Sequence, residues 1–332
     1  MKKGIYTLGN DVVLDQIIAL LNSIEANSNN IPVCVIPYDD RIDQLTKAIS
    51  QRENPNVTIF SDQEIINKWD SFSYSAWDTH PRTSKEGYHR FGTHRRYCGF
   101  DGDFDLFLYM DADTLLLRDP EYLFSYLSQY DFLVYDFQYK DLSHVYNLNS
   151  SKLQSVFSEA ELNNIFCSGF YGSRKNLFSQ NDLNKIIDYL SQGEWDILYP
   201  MAPDQTLINY MIMRSHRNFI NLSLSQPKDQ VTGCCVTSPH FKEENHLLYD
   251  KDELLTYIHY IGLSSTLFTR VCHGENLDFP YRNIFLHYRY LKNPDQRPTF
   301  TGHPKPLNPP TSFFDRAQRK LNQILQASNL RR

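Results

Sequence analysis

The sequence has no run of about 18 or more apolar residues, so it predicts no helix that crosses a bilayer. Positive charge is not in excess. The chain carries 33 Lys and Arg against 39 Asp and Glu, a net charge of −6, which argues against a general nucleic-acid binder that must displace phosphate counterions. Its six cysteines include no C-x-x-C pair, so neither a zinc site nor a disulfide framework is signalled, and reduced thiols in a cytoplasmic protein are expected. Three nucleotide and acyl-transfer signatures are missing as well. The first strand is followed by Leu8-Gly9-Asn10-Asp11 rather than G-x-G-x-x-G, and neither G-x-x-x-x-G-K-[ST] nor G-x-S-x-G occurs. These absences exclude a typical dinucleotide-dependent dehydrogenase, P-loop ATPase or α/β-hydrolase.

The 332 residues are 41% hydrophobic and 22% charged, the composition of a globular enzyme rather than a disordered chain. Met1–Asn10 starts basic but has no apolar run of leader length, and Ile5–Leu8 reads as a first strand. Val12, Val13, Ile17, Leu20, Leu21 and Ile24 then recur at helical spacing. Apolar runs at 31–37, 57–60, 106–110, 132–135 and 166–171 read as further strands. Strands alternating with helices predict βαβ units and an α/β fold with a mostly parallel central sheet flanked by helices. Residues 71–90, rich in aromatic and polar side chains without a clear period, read as a long loop. The organisation expected is one domain over residues 1–292, a proline-rich connector over 293–310, and a C-terminal amphipathic helix over 311–332. The apolar face of that helix, Phe314, Ala317, Leu321, Ile324 and Leu325, serves docking on its own domain or peripheral contact with a membrane or partner.

The chemistry concentrates at Asp111 and Asp113. They stand two apart at the end of the strongest strand pattern, Leu106–Met110, so in extended backbone both carboxylates face the same side. Open parallel sheets carry their sites at the carboxyl ends of strands, and Ala112 leaves room for a ligand to approach the backbone. Two hard oxygen ligands suit a divalent cation that stabilises charge developing on a departing diphosphate. The neighbouring Asp101, Asp103 and Asp105 precede the strand, where a structural or solvated role is expected.

Met110-Asp111-Ala112-Asp113-Thr114-Leu115 resembles the D-x-D block of glycosyltransferase family 8, which includes glycogenin and bacterial lipopolysaccharide glucosyl- and galactosyltransferases. Four other segments follow in that family's order, and the resemblance spans residues 3–265. It implies the GT-A fold, a UDP-sugar donor, Mn²⁺ (or Mg²⁺) and retention of anomeric configuration. The acceptor implied is a glycan, a lipid-linked or another hydroxyl, with no nucleic acid. Thr7, Leu8 and Asn10 fall on the first-strand loop that holds the nucleoside. Arg95, with Arg96 as close competitor, stands where a basic residue meets the donor diphosphate. Ser168-Gly169 and Asp204-Gln205 match the pair of segments associated with donor sugar and acceptor. Tyr257–Gly262 matches the H-x-x-G segment, making His259 the third metal ligand beside Asp111 and Asp113 and bringing Gly262 near phosphate. Asp111 and Ala112 also touch the donor, and Asp204 and Gln205 work at the reacting sugar.

Two positions depart from the pattern. Ser265 stands where the family carries a diphosphate-binding lysine, whose charge comes from Arg270, Lys228 or Arg174 or is missing, and Cys167 replaces a common asparagine. Read without the family, His259 is a core histidine or a ligand, and Asp204 caps its helix or meets a sugar hydroxyl. Asp39 and Asp40, at another strand end, touch the ribose or base or simply start a helix, and the second reading is preferred. A sugar nucleotidyltransferase and a non-catalytic glycan-binding module are the competing classes.

Overall fold

The structure, a computed structural model, describes residues 1–81 and 92–306. Its centre is a seven-stranded sheet built from β1 (Lys3–Gly9), β2 (Val33–Pro37), β3 (Val57–Ile59), β4 (Leu106–Asp111), β6 (Phe132–Val134), β7 (Phe170–Arg174) and β8 (Phe219–Asn221). The spatial order is β3-β2-β1-β4-β7-β6-β8. Neighbours run parallel except at β7, which is antiparallel to both β4 and β6. The α/β expectation of a mostly parallel, helix-flanked sheet holds.

Alternation along the central strands sorts the core into two layers. Tyr6, Phe107 and Tyr109 point to one face, where they pack with Trp69, Phe100 and Tyr171. Ile5, Leu106, Leu108 and Met110 point to the other, against Ile17, Leu20, Leu21 and Ile24 of the helix Leu14–Asn27. The aromatic layer also decides the segment read as a long loop from residue 71. The helix Gln63–Asp78 runs through it, with Asp62 accepting from the backbone N–H groups of Glu64 and Ile65 at 3.1 and 3.0 Å. Its buried face is Trp69, Phe72, Ser73, Ala76 and Trp77. Ser73 and Ala76 occupy positions that make the apolar period hard to see in the sequence, yet small side chains there suit a helix packed against the 3₁₀ helix Thr93–Phe100.

The strand placed at 166–171 begins instead at Phe170. Side chains replace the ladder for the residues before it: Asn209 brackets Phe166, accepting from its N–H at 2.9 Å and donating to its carbonyl at 2.8 Å, and Asp136 accepts from Cys167 N–H at 3.1 Å. A local sequence pattern cannot report such long-range clamps.

Two further pairings position the site. β5 (Thr114–Leu116) leaves β4 after two residues and pairs antiparallel with β12 (Tyr257–His259), setting His259 opposite Thr114. A three-stranded sheet of β9 (Lys242–Glu244), β10 (Leu247–Asp250) and β11 (Glu253–Leu254) lies between β8 and β12 in the chain. After residue 292 the chain makes a turn at Pro294–Gln296 and a short strand, Lys305–Pro306, paired with Leu277–Asp278. The amphipathic helix expected over 311–332 lies outside the described residues. Among the described residues, no helix is long and apolar enough to cross a membrane.

Candidate active site

β4 ends at Asp111, and the turn that follows carries Asp113 to the mouth of β5. The turn is fixed at both ends. Asp111 N–H donates to Gly169 O at 2.8 Å, Thr114 Oγ1 donates to Asp111 O at 2.7 Å, and Tyr260 N–H donates to Asp113 O at 2.8 Å. The same pairing that joins β12 to β5 presents His259, whose Nε2 lies 3.2 Å from Asp113 Oδ1. One ligand atom from each of Asp111, Asp113 and His259 falls within 4.8 Å of the others. No residue spacing announces this convergence, because β12 is about 150 positions downstream and arrives only through the sheet.

Electrostatics favour a cation here. Burial raises the Asp111 carboxyl above the usual range, and the neighbouring Asp113 charge adds to that against the opposing Arg96. Burial acts the same way on Asp113, but His259 overcomes it and holds Asp113 low. Burial alone would lower His259; the Asp113 carboxylate reverses it and raises the imidazole well above its ordinary value. Two carboxylates, one of them reluctant to ionise, and an imidazole form a donor set of the kind a divalent ion takes, and such an ion would displace the protons they hold. The mixed oxygen and nitrogen set suits Mn²⁺ better than Mg²⁺.

Gly169 makes the cluster possible. A Cβ there would lie 2.4 Å from His259 Cε1 and 3.0 Å from Asp111 Oδ2. Gly169→Ala is therefore expected to displace the ligands, lowering Mn²⁺ affinity about tenfold or more together with a modest fall in melting temperature. Isothermal titration calorimetry beside a thermal melt checks this; unchanged Mn²⁺ affinity would show that His259 and Asp111 are not held by that contact.

Arg96 is the buried cation of the site. From the 3₁₀ helix Thr93–Phe100 it reaches Asp111 at 3.2 Å and Asp204 at 3.0 Å. It also donates to Ser168 O and Oγ at 2.7 and 2.9 Å and lies 4.9 Å over the Tyr109 ring. Tyr109 in turn donates its hydroxyl to Asp111 Oδ1 at 2.7 Å. Arg95, the residue singled out from the sequence, is turned to Asp70 with two contacts of 3.1 and 2.9 Å and to the carbonyls of Pro37 and Tyr38. The correction has a simple cause: consecutive residues on a tight helix point in different directions, so only one of the pair can face the carboxylates.

Asp204 does not cap its helix. The helix Pro203–Arg214 starts without a side-chain cap, and the Asp204 carboxylate is spent on Arg96. Gln205 is oriented by two bonds, accepting from Ser168 N–H at 3.2 Å and donating to His144 O at 3.1 Å. Asp39 does not start a helix either. It accepts from Asn10 Nδ2 at 3.0 Å and pairs with Arg41, while Asp11 accepts from Gln44 and Leu45 N–H at the start of the helix Asp43–Ser50.

Two cavities, of about 440 and 510 Å³, meet at Thr93, Arg96, Asp111 and Asp113. The first is walled by Leu8, Asn10, Tyr38, Arg41, Ala112 and Ser265, the second by Ser168, Asp204, Gln205, His144, Tyr199 and His259. Thr7 is fully buried within β1 and lines neither cavity, Gly9 taking its place on the wall. Gly262 lies in the turn after β12 at φ 81°, off the cavity walls, with Leu263 and Ser265 beyond it facing the first cavity. The cations of the first cavity are Arg41 and Arg96. Of the three substitutes weighed for the lysine missing at Ser265, Arg270 pairs with Glu275, Arg174 holds the carbonyls of Leu127, Tyr130 and Ser128, and Lys228 lines a different cavity.

Asp136, which sequence reasoning missed, anchors the back of the second cavity by accepting from Gln138 N–H at 2.7 Å and Cys167 N–H at 3.1 Å. Burial, outweighing those two donors, pushes its carboxyl up to about 7. The folded state therefore holds this proton more tightly than the unfolded chain. Its stabilising share is complete below pH 3.8 and is lost as pH rises to about 7. Thermal melts across that window should show Asp136→Asn with a flatter pH dependence than the parent; parallel curves would rule the assignment out.

No family model and no curated protein matches the sequence. Solved structures do. The bifunctional glycosyltransferase WbbM matches with a TM-score of 0.53 and 13% identity, covering 89% of this chain and 51% of that one. Mouse xyloside xylosyltransferase 1 matches at 0.50 and 10%, covering 67% and 85%. An active-site mutant of LgtC matches at 0.50 and 13%, covering 81% and 95%. The chain thus spans about half the length of WbbM. At such identities the likeness is one of fold, and the fold of this chain is that of the GT-A glycosyltransferases.

Proposed function

We propose that the chain is a metal-dependent glycosyltransferase of the family 8 type. It would transfer a hexosyl group from a UDP-sugar to an acceptor hydroxyl on a glycan or lipid-linked sugar, with retention of configuration. The observation that carries this reading is the convergence of Asp111, Asp113 and His259 with Arg96 at the junction of two cavities. The fold it shares with glycosyltransferases supports it. A cytoplasmic setting follows the same reading and is in keeping with free cysteines at all six positions.

In this reading Asp111, Asp113 and His259 hold the cation, Mn²⁺ in preference to Mg²⁺, which when bound neutralises charge developing on the leaving diphosphate. The first cavity takes the nucleoside diphosphate, with Leu8, Asn10 and Ala112 on its wall and Arg41 and Arg96 as its cations. The second takes the transferred sugar and the acceptor. There Gln205, fixed between Ser168 and His144, presents its amide at the reacting sugar, Ser168 and Asp204 shape the space beside it, and Gly169 packs behind Asp111 and His259. The buried Tyr109 ring, stacked on Tyr171, gives the Arg96 guanidinium a fixed floor. Fixed donors and charges of this kind cost no reorganisation during reaction.

A panel of nucleoside diphosphate sugars with Mn²⁺ tests the proposal. One UDP-sugar should raise the melting temperature only when Mn²⁺ is present, and NMR of the product should show the donor's anomeric configuration. An inverted anomer would overturn the retaining assignment. Release of pyrophosphate from a nucleoside triphosphate and a sugar phosphate would instead identify a nucleotidyltransferase.

A further inference from the structure

A third cavity, of about 610 Å³, shares no lining residue with the two that meet at Asp111 and Asp113, although its Cys235 bridges to His259 on the wall of the second. Lys140, Lys228 and Lys251 converge on it from three separate segments, joined by His240. The protein as a whole is acidic, with a net charge of −6, so a local gathering of four basic side chains runs against its composition. None of the three lysines is paired with a carboxylate among the described residues. Lys140 stands over the Phe137 ring at 4.6 Å, which holds the ammonium group without neutralising it. Asp229 and Asp252, next in sequence to Lys228 and Lys251, do not line the cavity.

Two details show that the basic wall is held in place. Lys251 and Asp252 form the two-residue turn between β10 and β11 with φ of 52° and 68°. Such hairpin turns favour Asn-Gly or Gly-Gly, because both positions are left-handed. Side chains other than glycine are kept there at a steric cost, and one of them is the lysine on the cavity wall. Asp250 is 5% exposed, spends Oδ2 on Gly233 N–H at 2.8 Å, and leaves Oδ1 without a hydrogen bond 3.3 Å from His240 Nε2. Asp250 is itself a lining residue, and its contact places the His240 imidazole on the cavity wall.

We propose that this cavity binds an organic phosphate, a phosphate monoester or diphosphate on a hydroxylated body. The lysines and His240 take the anion, and Thr237 and Ser238 with the apolar Val231 meet the body. The volume is that of a small-molecule site rather than of a bare phosphate ion. The site does not depend on the reaction assigned to the cleft.

The test uses the full chain carrying Asp113→Ala, in EDTA, so that the acidic cluster cannot hold a metal-bound ligand. Glucose 1-phosphate, glucose and inorganic phosphate are titrated by calorimetry. Glucose 1-phosphate should bind, glucose should not, and inorganic phosphate should bind more weakly. Adding Lys228→Glu and Lys251→Glu, both on exposed side chains, should weaken glucose 1-phosphate binding about tenfold or more with the melting temperature retained. Equal binding by the lysine variant, or inorganic phosphate binding as tightly as the ester, would each overturn the proposal.

Discussion

Asp113→Ala should lower the rate of glycosyl transfer by about a hundredfold or more while leaving the protein folded. The reason lies in what the side chain touches. Asp113 Oδ1 is 3.2 Å from His259 Nε2 and belongs to the only cluster of three potential metal-ligating side chains among the described residues. It packs nothing of the core, and its carbonyl bond to Tyr260 N–H comes from the backbone, which alanine keeps. The effect should therefore appear in Mn²⁺ affinity and in kcat together, with the melting temperature of the metal-free protein modestly lowered, because the His259 imidazole loses its carboxylate partner while Asp111 is relieved of a like charge. Calorimetric Mn²⁺ titration and initial rates on the identified donor check both halves. A variant that binds Mn²⁺ as tightly as the parent would remove the acidic pair from the mechanism.

Arg96→Ala should do something different: lose both activity and stability. The guanidinium is 4% exposed and satisfies two carboxylates and both acceptors of Ser168. Removing one partner from a buried ion network leaves charge uncompensated, at a cost of about 3–5 kcal/mol. Arg96→Lys keeps the charge but has no planar fork to reach Asp111, Asp204 and Ser168 at once, so it should recover stability more than activity. Arg95→Ala is the control. It breaks a partly buried pair with Asp70, whose carboxyl is held down to about 2 against the opposing effect of burial by His94 and Arg95. A lower melting temperature with unchanged donor KM is expected there. If Arg95→Ala raised the donor KM and Arg96→Lys did not, the roles of the two arginines would be exchanged.

The adjacent arginines illustrate how legible the site is. The block Met110–Leu115 marks a strand end with two acidic side chains on one side, and that much follows from the period of extended backbone. Whether Arg95 or Arg96 meets them depends on the rotation of a short 3₁₀ helix against the sheet, which the sequence does not encode locally. Thr7 and Gly262 lie off the two cavity walls for a similar reason. Each lies within a segment that borders the cleft, but strand alternation buries Thr7 and a left-handed turn carries Gly262 past it. The loop expected from residue 71 conceals a helix because its buried face includes Ser73 and Ala76, whose value is their size rather than their hydrophobicity.

By itself the sequence determined the alternation of strands and helices, the two-layer core that follows from odd and even positions along β1 and β4, and the acidic pair at a strand end. These are consequences of local periodicity, which acts between residues a few positions apart. His259 is implied as the acidic pair's partner only by resemblance, and it is the tertiary structure that brings it to Asp113, sets Arg96 between Asp111 and Asp204 and clamps Cys167 to Asp136. Each joins side chains from segments far apart in the chain, and their distances are set by strand pairing and packing rather than by any spacing along it.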